Sequence, residues 1–188
     1  MNPMALAMTG FAFALWLNGC YLLGIGASAK TGGSASVKTV GIAGSLVGAI
    51  VLLFAAVWFV VGEPFGGGRE VSTLHALFSA ITGLYGLLWI GIFAVQVFNL
   101  DWHPIANLCL LAALMQAIEI VGVFHLLGMT SLHIWITAAV LAVYVVWLLM
   151  YARMLYGKLA APVVGWWSMV AVLGTLYLQF FGGGIFRL

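Results

Sequence analysis

The sequence predicts an all-α membrane protein, a bundle of six transmembrane helices, and three observations carry that expectation. Six long apolar blocks occupy nearly all of the 188 residues. Apolar residues make up 65% and charged residues 5%, against roughly 25% charged in an average soluble chain. Mean hydropathy is +1.23, and each block reaches the about 20 residues that a helix needs to cross hydrocarbon. Six spans and their connectors use up the length, so a single membrane domain over 1–188 is expected, with no extramembrane domain beside it. A formal charge of +2 spread mostly over connectors excludes a nucleic-acid surface.

The first span is placed at 4–26. Met1 to Met8 hold no Lys or Arg that would make a signal-peptide n-region, so the segment reads as the start of a retained helix. Met4, Met8, Phe11, Leu15 and Asn18 recur at steps of four, three, four and three, which puts them on one face. The Asn18 amide must find a partner in hydrocarbon, on a neighbouring helix or along a wet path, and both roles fit. A Gly/Ser/Lys connector, 27–38, leads to the second span, 39–62, whose Gly41, Gly44 and Gly48 form a small-residue face. Such a face admits close approach by another helix, from this chain or another subunit. The connector 63–72 contains Gly66, Gly67 and Gly68 but lacks the Lys and Ser/Thr of a phosphate loop.

The third span, 73–98, carries Tyr85 and Trp89 one turn apart, with Phe93 and Gln96 continuing the stripe. The fifth, 132–156, carries Thr137, Tyr144, Trp147 and Tyr151 at steps of seven, three and four. Aromatic stripes commonly pack helices together. Their phenol and indole donors also suit a path for a small polar solute, because buried Tyr and Trp need partners. The fourth span, 105–127, holds Glu119, the one formal charge deep within a span. A carboxylate there costs several kcal/mol unless it is paired, hydrated or protonated. Gln116 lies one turn earlier on the same face and can bond Glu119 or the same solute. The sixth span is placed at 162–182.

Other chemistry is missing from the pattern. Cys20 and Cys109 fall singly inside spans, and His75, His103, His125 and His133 have no metal-ligand spacing, so neither a disulfide nor a metal is expected. No nucleophile elbow, paired carboxylates or nucleotide fingerprint occurs, and no cofactor or enzymatic activity is expected. Nor is there a second buried acid, a buried Lys or Arg, or a mid-membrane proline to build an ion-coupled transport site. Passive conduction fits this scarcity. Lys30, Lys38, Arg153 and Lys158 on one side against Arg69 and Arg187 on the other place both termini outside the cytoplasm.

On these residues the chain resembles the amide and urea channel family (AmiS/UreI). Leu17-Asn18-Gly19 followed by Leu22-Leu23-Gly24 is similar to that family's first-helix opening, and Leu100-Asp101-Trp102-His103-Pro104 to its Leu-Asp-Trp-Arg-Pro turn. Trp147-Leu148 and Gly165-Trp166-Trp167 fall at comparable spacings. The resemblance implies a homo-hexameric ring in the bacterial inner membrane, one pore per protomer, passing urea, formamide or acetamide down a gradient. A functional link to a cytoplasmic urease or amidase follows from it. It assigns Met4 and Met8 to an apolar constriction, Asn18 to the family asparagine and Trp147 to an aromatic cluster of the fifth helix. The chain departs from the family at Val140 and Val143, where further tryptophans are expected. It departs again at Leu173, Gly174 and Thr175, where the sixth-helix glutamate is missing.

A second, more local resemblance is to the acetate and succinate channel family, through Asn2-Pro3, Leu6, Gly10-Phe11, Tyr85-Gly86 and Trp89. A path for monocarboxylates prefers donors and positive potential, which an unpaired Glu119 opposes. A non-conducting membrane subunit of a larger complex is the remaining alternative, since packing glycines and aromatic stripes suit it equally. Acid gating through His75, His125 and His133 near the outer face is not expected, because the outer loops hold few titratable partners.

Overall fold

The computed structural model describes residues 3–26, 29–62, 64 and 69–182. They form α1 (Pro3–Leu23), α2 (Ala29–Val40), a π-helical segment (Gly41–Leu46), α3 (Val47–Val61), α4 (Arg69–Phe98), α5 (His103–Leu127), α6 (Leu132–Leu155), α7 (Ala161–Tyr177) and a second π segment (Leu178–Gly182). No strand occurs among the described residues. Six of the helical stretches are long and apolar enough to cross a membrane. In hydrocarbon every backbone N–H and C=O must be satisfied within the segment, which continuous helices achieve.

Two expectations about connectors are corrected. Residues 29–38 do not form a loop: α2 runs through the π segment into α3 without a break. No proline stands between Ala29 and Val61, so nothing interrupts the hydrogen-bond ladder. Likewise α4 begins at Arg69, within the stretch assigned to the second connector. Glu63 and Gly66 to Gly68 lie outside the described residues.

The spans pack chiefly on their neighbours in chain order, and α7 returns to α1, closing a six-membered ring of antiparallel helices. Each helix turns one stripe inward. On α5 it is Cys109, Ala112, Gln116, Glu119 and Val123, and on α7 it is Val164, Ser168, Ala171 and Thr175. The opposite faces expose Phe54, Leu114, Ile118, Val121 and Leu173, as expected where lipid is the solvent.

Ring closure depends on glycine at two crossings. A Cβ on Gly48 would stand 2.7 Å from Ala14 Cβ and 2.9 Å from the Gly10 carbonyl oxygen, and one on Gly165 would stand 3.1 Å from the Gly19 carbonyl oxygen. The small-residue face of the second span therefore meets α1 of the same chain. Gly41 faces Gln96 of α4 at 2.9 Å and Gly44 faces Leu17 at 3.1 Å, so these partners too are internal. Gly48→Val is expected to cost about 1–3 kcal/mol through overpacking, measured as a lower midpoint in detergent unfolding. Gly83→Ala, with only an ordinary 3.7 Å contact to Ala56, is expected to leave the midpoint nearly unchanged.

Candidate functional site: an aromatic collar on the ring axis

Phe11 stands at the centre of the ring. Its centroid lies 4.6 Å from Tyr85, 5.1 Å from Tyr144 and 6.4 Å from both Trp89 and Trp147. Trp89 and Trp147 approach each other at 5.8 Å, and Tyr151 extends the cluster at 5.3 Å from Trp147. The three-and-four spacing of α1 delivers Phe11, while α4 and α6 each deliver a Tyr and a Trp one turn apart. Offset and edge-on geometries of this kind are the favourable ones for aromatic pairs. All five rings are essentially buried, and together they form a collar across the axis.

The collar divides two spaces. On the side where α1 begins lies an apolar chamber of about 40 Å³ lined by Met4, Met8, Phe11, Thr82, Tyr85, Thr137, Tyr144 and their neighbours. That is room for water but not for a larger solute without side-chain movement. On the other side a wider vestibule of about 340 Å³ is lined by Asn18, Tyr21, Gln96, Asn99, Trp102 and Tyr151. A larger groove of about 980 Å³ runs along α1, α3 and α7 past Phe13, Trp16 and Trp166. It lies on the exposed, lipid-facing flank, away from the polar groups of the axis.

Asn18 proves to be both glue and lining. Its Nδ2 donates to Ser45 Oγ at 3.2 Å and to the Ala14 carbonyl at 2.9 Å. Ser45 Oγ donates to Gln96 Oε1 at 2.7 Å, and Gln96 Nε2 donates back to Asn18 Oδ1 at 2.7 Å. The cycle joins α1, the π segment and α4 at the floor of the vestibule. Ser45 escaped notice because one serine in an apolar span has no periodic signature. Phe93 leaves the stripe assigned to it: the buried series runs Tyr85, Trp89, Ile92, Gln96, and Phe93 packs half-buried against Phe98 at 6.0 Å.

The polar heads of the collar fare differently on its two sides. On α6, Tyr144 Oη pairs with Thr175 Oγ1 at 2.7 Å and Trp147 Nε1 donates to Ser168 Oγ at 2.9 Å. These α7 hydroxyls, seven residues apart, were not singled out in the sequence, although their spacing of two turns matches the α6 pair. Thr175 thus meets Tyr144 where the family glutamate was expected. Val140 packs on Gly174, and the Val143 carbonyl accepts from Trp167 Nε1 at 3.0 Å.

On the α4 and α5 side no such pairing forms. Tyr85 Oη, Trp89 Nε1, both polar atoms of the Gln116 amide and Glu119 Oε2 are buried without a hydrogen-bond partner. Every sequence-predicted residue therefore reaches the collar, its chambers or its α5 flank. The histidines do not assemble there. His133 Nδ1 meets Tyr177 Oη at 2.7 Å, and no metal-binding group of His, Cys, Asp or Glu occurs among the described residues.

At the exposed turn before α5, Asp101 Oδ1 accepts from the His103 backbone N–H at 3.0 Å and faces His103 Nδ1 at 2.7 Å. These contacts, the backbone one foremost, hold its carboxyl below the ordinary carboxylate value. A depressed folded-state value means that the contribution is present above the unfolded value and disappears as pH falls through the folded one. The Asp101 carboxyl carbon in NMR is expected to titrate below pH 3.8. In Ser45→Ala, loss of the cycle is expected to cost about 1–2 kcal/mol, measured by detergent unfolding. A double-mutant cycle of Asn18→Ala with Gln96→Ala is expected to show favourable coupling. No protein-family model, curated protein or solved structure matches this chain.

Proposed function

We propose that this protein is a passive membrane channel for a small uncharged polar solute of the urea, formamide and acetamide class. One observation carries the proposal: a file of amphipathic and polar side chains on the axis of a closed helical ring, with spaces on both sides of an aromatic collar. Burying five polar atoms without partners costs free energy in any protein, and more so in hydrocarbon. Their retention makes sense if solute and water visit them in turn. Conduction requires such binding to be weak enough for release.

The collar is narrow, so passage requires its rings to swing aside, and an apolar wall with few polar stations holds back hydrated ions. Glu119 disfavours anions such as acetate, because its field meets them in a low-dielectric interior. The described basic side chains Lys38, Arg153 and Lys158 are exposed at the vestibule end. Under the positive-inside rule that end faces the cytoplasm and the small chamber faces outward, in the bacterial inner membrane to which the resemblance points. A homo-hexameric assembly rests on the same resemblance, as does a cytoplasmic urease or amidase consuming the solute.

Purified protein in liposomes, followed by stopped-flow light scattering, is expected to speed shrink and swell recovery with urea, formamide and acetamide but not with acetate. Acceleration by acetate alone would favour the monocarboxylate alternative, and no solute-specific acceleration would favour a non-conducting subunit. Phe11→Ala, which removes the ring shared by every collar contact, is expected to raise solute flux several-fold and to flatten the order among the amides.

A further inference from the structure

The collar carries two Tyr-Trp pairs of the same spacing, and only one of them is committed to the fold. Tyr144 and Trp147 are tied to Thr175 and Ser168. Tyr85 and Trp89 are left with free heads, opposite an equally free Gln116 and Glu119. Gln116 is wholly buried and Glu119 is 7% exposed.

The register of the antiparallel α4 and α5 brings the four together. Gly91 faces Ile105, and Gly122 faces Leu77, which fixes how the helices slide against each other. Tyr85 and Trp89 then lie between the levels of these crossings, as do Gln116 and Glu119. Side chains on a helix lean toward its N-terminus, so on antiparallel neighbours the two pairs lean toward one another. Glu119 and Cys109 accordingly act electrostatically on the Tyr85 hydroxyl. Tyr85 also lines the small chamber, which connects this seam to the axis.

The chemistry of the free atoms specifies the occupant. Indole N–H, phenol O–H and the Gln116 NH₂ are donors, whereas the Gln116 carbonyl and the Glu119 carboxylate are acceptors. A simple cation would satisfy the acceptors and strand the donors. An anion would use the donors and oppose Glu119. A neutral molecule with a carbonyl and adjacent N–H groups satisfies both sets at once. We infer that Tyr85, Trp89, Gln116 and Glu119 form a selectivity site at the α4–α5 seam that recognises unsubstituted amide nitrogen. In it the solute carbonyl accepts from Trp89 and Tyr85, and the solute N–H groups donate to Gln116 and Glu119. The inference rests on the channel proposal and adds a rule to it: the protein discriminates by N–H groups rather than by size.

Three isomers of one formula test the rule without a change in size: propionamide, N-methylacetamide and N,N-dimethylformamide, which differ in how many N–H groups the nitrogen keeps. After subtraction of protein-free liposomes, protein-mediated permeability is expected to fall in that order, by about ten-fold or more across the series, the scale of an unsatisfied buried acceptor. Gln116→Leu, Glu119→Gln and Tyr85→Phe are expected to compress this ratio toward one, with elution as a folded oligomer unchanged. A ratio that stays at its wild-type value in folded variants overturns the site, as does equal permeability of the three isomers in the wild type. Tyr85→Phe keeps the ring and its packing, so at least one variant tests the site even if those on α5 do not fold.

A binding readout separates this inference from the channel proposal. In detergent, the Trp89 indole ¹⁵N–¹H resonance, assigned by its loss in Trp89→Phe, is expected to shift saturably with propionamide and not with N,N-dimethylformamide. Binding without permeation would sink the channel and keep the site. Permeation with no shift of that resonance would keep the channel and sink the site.

Discussion

Everything on the axis of this protein depends on how closely α1 is gripped by its neighbours. On one flank Gly48 admits Ala14 and the Gly10 carbonyl, and on the other Gly165 admits Gly19. No apolar driving force between helices operates in lipid, so such van der Waals contact is a principal source of cohesion. With α1 drawn in on both flanks, Phe11 reaches the centre of four other rings and Asn18 reaches Ser45 and Gln96. A wider α1 would hold the ring open and leave the collar without its middle member.

Polar groups divide along the same geometry. Where two spans meet tightly, their polar atoms find each other: the Asn18, Ser45 and Gln96 cycle satisfies amides and hydroxyl within one layer, and α7 supplies hydroxyls at the level of each α6 head. The seam between α4 and α5 is looser, and there the donors and acceptors stay apart. A membrane interior tolerates such separation only where water or solute substitutes for the missing partner. The contrast between a satisfied half and an unsatisfied half of one collar is the structural sense in which this bundle is organised around a path.

Much of the fold was legible in the sequence. Six spans, and the inward faces of α1 and α6, follow from apolar length and the three-and-four step, which survive in any context that buries one stripe of a helix. Glu119 and Gln116 stood out because charge and amide are rare in hydrocarbon. The connector before the second span was misplaced because glycine and serine report flexibility in water, whereas the ladder of a continuing helix overrides their weak propensity. Ser45, Ser168 and Thr175 were not legible as functional. A small hydroxyl in a span is silent until its partner on another helix is known, and partnership is a property of the closed ring.

The π segment at Gly41–Leu46 has a consequence for how this span tolerates change in length. A π turn accommodates a residue that an α-helix would not, so the stretch upstream, with Ser36 and Val40 buried, is phased differently from the stretch downstream. Deleting a single residue here would let the span relax to regular winding and rotate one half against the other by about 100°. Ser45 or the Ser36 face would then turn toward lipid. The second span is therefore indel-sensitive at one narrow locus, although its composition alone would mark it as the most permissive of the six.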